Sequence, residues 1–239
     1  MSESVPLRIG KSLVIAIDGP SGSGKSSVAR ETAHRLGLAY QDTGAMYRAL
    51  ALVCLENGVE VHNQAAVEAL AKRFYFEQWF DPGVGMVAAG LDQERALDVT
   101  DEIREPRVSE AVSAVATNLG ARTELIRRQR AAIESVRSRM VVEGRDITTV
   151  VAPQAEVRLL LTASEAARLA RRGAQLAASG ESQTAEQVAA QVLARDAKDA
   201  TVVEFQRAAD GVVTIDSSDL DFEQTVQAVL RLVRETVGG

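Results

Sequence analysis

A short apolar run that ends in a glycine-rich loop constrains the fold of this chain more than any other feature. Residues 13–17 are continuously apolar, and the segment GPSGSGKS follows at residues 19–26. An apolar run of this length that stops at a turn is typical of a strand buried on both faces of a parallel sheet. A helix is predicted to begin near Lys25 and to run to about Leu36, because Gly37 then ends the helical pattern.

The loop matches the phosphate-binding pattern G-x-x-x-x-G-K-[ST] at every fixed position. Glycines let the backbone wrap closely around phosphate oxygens, so that N–H groups and the helix N-terminus face the anion. Lys25 is expected to neutralise the β- and γ-phosphates, and the Ser26 hydroxyl is expected to bind the Mg²⁺ that accompanies ATP. The residues expected to hold ATP are Gly19, Pro20, Ser21, Gly22, Ser23, Gly24, Lys25, Ser26 and Ser27. The motif predicts ATP or GTP binding, but ATPases, GTPases, transporters and kinases share it.

The rest of the chain alternates strand-like and helix-like segments. This predicts an α/β, three-layer fold with a central parallel sheet and helices on both faces. Further buried strands are predicted at residues 140–142, 157–161 and 212–215. Turn residues between 74 and 97 favour short antiparallel strands in that stretch. Helices are predicted at residues 45–56, 64–72, 105–138, 165–178, 184–195 and 222–235.

Composition excludes several classes of protein. The 239 residues carry a net charge of −6, which argues against a general nucleic-acid binder. The single cysteine, Cys54, lies in an apolar stretch and is expected to pack in the core rather than to react. No stretch reaches the ~18 apolar residues of a membrane span, and the first residues do not resemble a signal peptide. A monomeric, cytoplasmic protein that binds neither nucleic acid nor membrane is therefore expected.

Several further motifs follow the loop in a fixed order. They are DTGAMYR at 42–48, EGRDI at 143–147, Arg168 with Arg171-Arg172, Arg195-Asp196 with Asp199, and IDSS at 215–218. With these motifs, and over about residues 12–232, the chain resembles the bacterial cytidylate kinases of the nucleoside monophosphate kinase superfamily. The resemblance implies transfer of the ATP γ-phosphoryl group to CMP or dCMP, with Mg²⁺ accompanying ATP.

The resemblance also implies one P-loop kinase domain over residues 1–239. Its core would comprise residues 12–60, 139–163 and 210–236. An acceptor-binding region would span 61–138, with the β-like insertion near 74–97, and a short helical lid would span 164–205.

A kinase must hold two polyanions together, which requires more cations than Lys25. Arg48 follows a Thr-Gly turn at a predicted helix start, and Arg145 follows the end of a predicted parallel strand, where such sheets place ligands. Arginines at 168, 171 and 172 share one helical face. The residues expected to be catalytic are Lys25, Arg48, Arg145, Arg168 and Arg172.

The acceptor site implied by the resemblance consists of Thr43, Arg48, Ser113, Arg122, Arg145, Asp146, Arg195 and Asp199. Within this set Asp146, with Ser113 and Arg122, would read the base. A carboxylate can accept from the cytosine amine but repels the uracil carbonyl. Arg48 and Arg145 would hold the acceptor phosphate. The ribose would face the residues that remain, Thr43 and Asp199, with Arg195 nearby.

Two residues depart from the family pattern. Val202 stands where the family has an arginine, and Thr148 stands where it usually has a glycine. Lid segments are loop-like, so a cation displaced along the chain can reach the same anion. We therefore hypothesise that Arg207 replaces the missing arginine.

Other interpretations stay open at the level of sequence. One is a kinase of another small acceptor, such as UMP, a nucleoside or shikimate. A second is a regulatory nucleotide-binding P-loop protein, although the Asn-Lys-x-Asp motif of G proteins is absent. A third is a relative that binds nucleotides without turnover. For single side chains, a surface salt bridge would explain Arg48, a helix cap would explain Asp146, and a solvated face would explain the arginines at 168–172.

Overall fold

Five parallel strands form the central sheet of the computed structural model, which describes residues 12–79, 86–178 and 184–238. All strands, in chain order, are β1 (Leu13–Asp18), β2 (Ala39–Asp42), β3 (Tyr75–Gln78), β4 (Val87–Gly90), β5 (Leu97–Asp98), β6 (Arg139–Gly144), β7 (Val157–Thr162) and β8 (Val213–Asp216). The helices are α1 (Lys25–Leu36), α2 (Thr43–Glu56), α3 (Gln64–Ala71), α4 (Pro106–Ala116), α5 (Leu119–Ser135), α6 (Glu165–Ala178), α7 (Ala185–Asp199) and α8 (Phe222–Val237). The sheet has the order β2-β6-β1-β7-β8 with every pair parallel, which confirms the predicted fold class.

The carboxyl ends of three neighbouring strands bring the glycine-rich loop beside two other loops. Asp18 at the end of β1 is in register with Gly144 of β6, and Asp42 at the end of β2 is in register with Glu143. Open parallel sheets bind their ligands outside these strand ends. The loop after β1, the start of α2 and the turn after β6 therefore share one edge of the sheet.

One predicted helix is divided in the structure, and two elements were not predicted. The helix predicted over 105–138 is two helices, α4 and α5, because the Asn118 side chain caps α5 by accepting from Ala121 N–H. Strand β2 was not predicted, since Gln41 interrupts its apolar pattern, although this side chain is fully buried. A π-helical turn over Ile147–Val151 was not predicted either.

The buried Asp18 carboxylate explains that turn. Asp18 accepts from the N–H groups of Ile147 and Thr148 at 2.8 and 2.9 Å, and from the Thr148 hydroxyl at 2.6 Å. Three hydrogen bonds satisfy a carboxylate that burial would otherwise penalise. Thr148, the residue that departs from the family pattern, thus fixes the turn that follows β6.

Hydrophobic side chains pack on both faces of the sheet and in a separate region. Ile15 and Ile17 face α1 and α8, whereas Val14 and Ala16 face α5 and the π-helical turn. A third cluster joins α2 to α3, α4 and the antiparallel sheet β3-β4-β5. It contains Cys54, which is fully buried as predicted. The short antiparallel strands predicted between 74 and 97 are also confirmed.

Candidate active site

The glycine-rich loop has the backbone that its sequence predicts. Gly22 and Gly24 have φ angles of 77° and 87°, in the left-handed region that favours glycine. A Cβ on Gly22 would lie 2.7 Å from the Arg168 backbone oxygen, so a larger residue would push the loop away from α6. Helix α1 begins at Lys25, directly after the loop, with its positive dipole end at the loop.

Lys25 and Ser26 lie beside an acidic side chain. Ser26 Oγ donates to Glu143 Oε1 at 2.6 Å, and the Tyr40 hydroxyl lies 3.4 Å from the same oxygen. Burial raises the pKa of Glu143 to about 7, and the negative charge of Asp42 acts in the same direction. Burial lowers the pKa of Lys25, although the charge of Glu143 opposes that change. The end of the loop is therefore a partly buried cluster of ionisable groups of both signs.

Arg48 lies on α2 in an excess of positive charge. Its guanidinium donates to the Ile103 carbonyl at 3.1 Å and to Ser109 Oγ at 2.9 Å. Burial lowers the pKa of Arg48 to about 9. The positive charges of Arg195 and Arg172 act in the same direction and the negative charge of Asp42 opposes them, so the group is still protonated at neutral pH. Within the described ranges Arg48 forms no salt bridge. A surface salt bridge therefore does not explain Arg48. A cation without a carboxylate partner is suited to bind an anionic ligand.

Asp146 and Arg122 form a buried ion pair between the turn after β6 and α5. Arg122 donates to Asp146 Oδ2, and the two side chains are 12% and 8% exposed. Asp146 makes no side-chain capping hydrogen bond to the π-helical turn, so the helix-cap interpretation is wrong. The Tyr47 hydroxyl lies nearby: its pKa is raised by burial first and then by the charge of Asp146. Ser113 is buried on α4.

Arg145 is held by α7 and the segment after it. Its guanidinium donates to Asp196 Oδ1 at 2.8 Å and forms an ion pair with Asp199 Oδ2 at 2.9 Å. The same guanidinium lies 4.5 Å from the ring centroid of Phe205. Arg195 Nε is 3.7 Å from Asp199 Oδ2. The structure thus brings three predicted acceptor residues together, Arg145, Arg195 and Asp199.

Two arginines of α6 reach the glycine-rich loop. Arg168 and Arg171 donate to the backbone oxygens of Ser21 and Ser23, at 2.9 and 3.2 Å. These two side chains therefore do not form a solvated face. Arg172 donates instead to Gln175 of its own helix, at 2.9 Å. Its positive charge also lowers the pKa of Arg48.

The remaining predicted residues have less direct contacts. Thr43 Oγ1 donates to the Glu143 carbonyl at 2.9 Å, at the sheet edge. Ser27 is exposed in the first turn of α1. Val202 and Arg207 line a surface groove that also includes Val150. Within the described ranges, no hydrogen bond or salt bridge of Arg207 reaches the site.

Sequence reasoning missed three residues that contact the predicted ones: Glu143, Asp196 and Phe205. Glu143 ends a buried strand directly before Gly-Arg-Asp, which is the position where such sheets present ligands. Asp196 follows Arg195 in its motif, but the sequence pattern assigns it no role of its own. Phe205 carries no local signal, because its partner Arg145 lies 60 residues earlier in the chain.

Positive charges from several elements lie close together at this edge of the sheet. Those of Arg145 and Arg195 act on Lys25, and those of Arg195 and Arg172 act on Arg48. Such a layout shields the repulsion between two phosphorylated ligands.

Comparisons with known proteins agree with this chemistry. A protein-family model described as cytidylate kinase matches residues 15–235. A cytidylate kinase of Cutibacterium acnes is 46% identical over 226 residues, which are 94% of this chain and 97% of the relative. One of Nocardia farcinica is 42% identical over 239 residues, covering 99% and 97%.

A solved structure shares the fold alone. The crystal structure of an uncharacterized protein of Eubacterium ventriosum has a TM-score of 0.50 and 9% identity, and the match covers 93% of this chain and 98% of that one. Among the described helices of this chain, none is both long and apolar enough to cross a membrane.

Proposed function

This chain belongs to the cytidylate kinase family and is an ATP-dependent kinase that phosphorylates CMP or dCMP, and we propose that phosphoryl transfer occurs between its glycine-rich loop and Arg48. The observation that carries this proposal is the position of Arg48. It is a positively charged side chain that lies among other arginines and lacks a carboxylate partner in the described part of the chain. A bound phosphate would supply the missing negative charge.

On the donor side, the loop N–H groups and the start of α1 bind the ATP phosphates. Lys25 neutralises the β- and γ-phosphates, and Arg168, held against the loop through Ser21, adds a second charge. The loop and Lys25 are positioned by the fold itself, and Arg168 joins them when the lid is closed, so the closed site stabilises the developing charge with little reorganisation. The catalytic set is Lys25, Arg48, Arg145, Arg168 and Arg172.

On the acceptor side, Arg48 and Arg145 hold the CMP phosphate. Asp146 accepts from the cytosine amine, and Arg122 serves the ring nitrogen and carbonyl. Ser113 contacts the same base. The ribose lies toward Thr43, Arg195 and Asp199. No strong general base is required, because the attacking atom is already a phosphate oxygen.

Mg²⁺ accompanies ATP in this proposal. The side chains at the loop fit a hard cation, since the Ser26 hydroxyl and the Glu143 carboxylate are both oxygen donors. Ser26 would hold the ion together with phosphate oxygens. The ion supplies neutralisation of charge on the transferred group.

Lid closure over the donor keeps water from the γ-phosphate. The lid consists of α6 and α7, and its arginines already contact the loop. A closed lid therefore promotes phosphoryl transfer to CMP rather than hydrolysis of ATP by water.

Substitution of Lys25 tests the proposed donor site. We expect Lys25→Ala to fold and to lose about 10²–10³ in kcat, the scale of one preorganised charge-stabilising group. Lys72→Ala is the matched control, because Lys72 is exposed and pairs with Glu68 on α3. The measurement is coupled ADP release with CMP, dCMP, UMP, AMP and shikimate side by side. Turnover like that of the natural protein by a folded Lys25→Ala variant refutes the assignment.

We further propose that the protein works in the cytoplasm as a monomer, with ATP and CMP or dCMP as its partners. Its net charge of −6 supports the absence of nucleic-acid partners. Light scattering during gel filtration should give a mass near 25.5 kDa.

A further inference from the structure

Asp196 lies on the buried side of α7, where it faces the glycine-rich loop. Asp196 is only 5% exposed. A buried carboxylate is unfavourable unless cations and hydrogen-bond donors surround it. The surroundings of Asp196 therefore show what its charge serves.

Three donors from three different parts of the fold meet at this carboxylate. Oδ1 accepts from the Ser21 N–H of the loop at 3.1 Å and from Arg145 at 2.8 Å. Oδ2 accepts from Arg168 of the lid at 2.5 Å. Burial by itself would raise the pKa of Asp196, but Arg145 and the hydrogen bonds lower it below the usual value. The carboxylate is thus ionised at neutral pH.

The partners of Asp196 make further contacts with the loop and with α7, and Asp196 links these partners to one another. Arg168 donates both to Asp196 and to the Ser21 carbonyl. Because Asp196 also accepts from the Ser21 N–H, two side chains of the lid bind the same loop residue. Arg145 is also paired with Asp199, one helical turn away. Asp196 is the side chain that contacts the donor-side and the acceptor-side arginine together, one with each oxygen.

We propose that Asp196 is a positioning residue that sets the donor-side and acceptor-side arginines relative to the phosphate loop. The inference rests on the proposed function, because it takes Arg168 and Arg145 to bind the two phosphate groups. Two long side chains held by one carboxylate lose little freedom when the substrates bind. The charge of Asp196 also offsets the repulsion between the two guanidinium groups in the closed lid.

A charge-removing substitution tests this role. We expect Asp196→Asn to lower kcat by about tenfold to 100-fold, since misplacement of a catalytic group by ~1 Å has effects of that size. KM for ATP and KM for CMP should each change by less than about threefold, because both arginines keep their charge. The matched control is Glu186→Gln, in the exposed first turn of the same helix, which should leave all constants unaltered.

A double-mutant cycle separates positioning from a structural role. Because Asp196 acts through Arg168 as well as through Arg145, the Asp196→Asn change should lower kcat at least about threefold less in an Arg168→Met background than in the natural one. Equal losses in both backgrounds overturn the proposal, as does an Asp196→Asn enzyme with an unaltered kcat. A loss of activity that only follows a lower folded fraction, measured by circular dichroism, also overturns it.

Two further experiments separate a failure to fold, and a failure of the proposed function, from a failure of the positioning role. If Asp196→Asn does not fold, the cycle is repeated with Asp196→Ser, and failure of both variants to fold assigns Asp196 a structural role and overturns the proposal. Arg145→Met and Arg168→Met tested alone check the proposed function itself. If these variants are fully active, the proposed site fails, whereas their inactivity beside a normal Asp196→Asn enzyme defeats only the positioning role.

Discussion

The proposed discrimination between cytosine and uracil depends, at the residue level, on the buried ion pair between Asp146 and Arg122. The two side chains are nearly covered, so either one would be left without a partner if the other were neutralised. Asp146→Asn should reduce kcat/KM for CMP by about 100-fold, with a much smaller effect on UMP. Its amide presents a donor to the cytosine amine, which is itself a donor.

The measurement is kcat/KM for CMP and for UMP in both proteins, together with ATP affinity. ATP affinity should stay constant, because the loop is untouched. Asp101→Asn is the control, since Asp101 is exposed and makes no capping hydrogen bond with its side chain. An unaltered CMP:UMP ratio would leave Asp146 as a structural partner of Arg122 and nothing more.

Residues within one short motif could be placed from the sequence, whereas residues that act across the fold could not. The loop around Lys25 is fixed by glycines next to it, so its geometry is local. Ser26 meets Glu143 117 positions later, and Ser21 meets Asp196 175 positions later. A single sequence contains no signal that pairs such positions. The resemblance supplied Arg122 and Ser113, which composition and periodicity would not have selected.

The segment that follows α7 positions Arg145 through an aromatic ring. Phe205 is 1% exposed, and the guanidinium of Arg145 lies 4.5 Å from its ring centroid. We expect Phe205→Leu to destabilise the protein by about 1–3 kcal/mol, from lost packing and the lost cation–π contact. It should also lower kcat/KM for CMP about fivefold, because Arg145 becomes less ordered.

The same substitution elsewhere controls for loss of aromatic area. Phe222→Leu changes a ring that is 51% exposed at the start of α8, and it should alter the unfolding free energy by less than about 0.5 kcal/mol. Equal kinetics for Phe205→Leu and the natural protein would contradict the role of the ring.

The hypothesis that Arg207 replaces the missing arginine stays a prediction. Its test is Arg207→Met, which should lower kcat/KM for CMP about tenfold if that hypothesis holds.

Glu124 pairs with two arginines of its own helix, α5, and the effect of these ion pairs depends on pH. Hydrogen bonds from Arg127 and Arg128 lower the pKa of Glu124 to about 2, and Arg128 also donates to the backbone oxygens of Ala71 and Phe74. A folded-state pKa below the unfolded value of 4.5 means that the unfolded chain binds more protons as the pH falls. The stabilisation is therefore complete above about pH 4.5 and is lost toward pH 2.

Glu124→Gln should lower the unfolding free energy by about 1 kcal/mol at pH 7 and by much less at pH 2.5. The check is urea unfolding at both pH values. Glu134→Gln, an exposed position on the same helix, should show no such difference. A loss that is equal at the two pH values would mean that packing, rather than charge, is responsible.

Elements with strong local signals were predicted almost to the residue, and those set by long-range contacts were not. Helix α1 begins and ends where the loop and Gly37 require. Strand β2 has a buried Gln41 in its middle, so only pairing with β6 makes it a strand. The π-helical turn after β6 depends on Asp18, which lies more than 120 residues earlier in the chain.

At the scale of the whole molecule, the hydrophobic clusters differ greatly in extent. The sheet is covered by large clusters on both faces, and α2–α4 form another. The lid has its own cluster, in which Leu176, Val188 and Val192 are buried and Leu169 packs against them. The lid is joined to the loop largely by polar contacts such as those of Asp196 and Arg168. The alternating pattern predicted this architecture, but not which contacts hold the lid.

A small core joined by polar contacts predicts local opening of the lid well below the free energy of global unfolding. Amide hydrogens of α6 and α7 should therefore exchange much faster than those of β1 and β6, which form the buried centre of the sheet. In the proposed function ATP and CMP contact the lid only when it is closed, so both ligands together should slow exchange in α6 and α7. A non-hydrolysable ATP analogue with CMP, each at 100 times its Kd, should give up to about 10⁴-fold slowing, about 100-fold from each ligand. The central strands serve as the internal control in the same mass-spectrometric experiment. Equal protection of lid and sheet without ligands, or unaltered lid exchange with both ligands bound, would show that the lid does not open as a separate unit. In that case nucleotides would enter through a different movement of the fold.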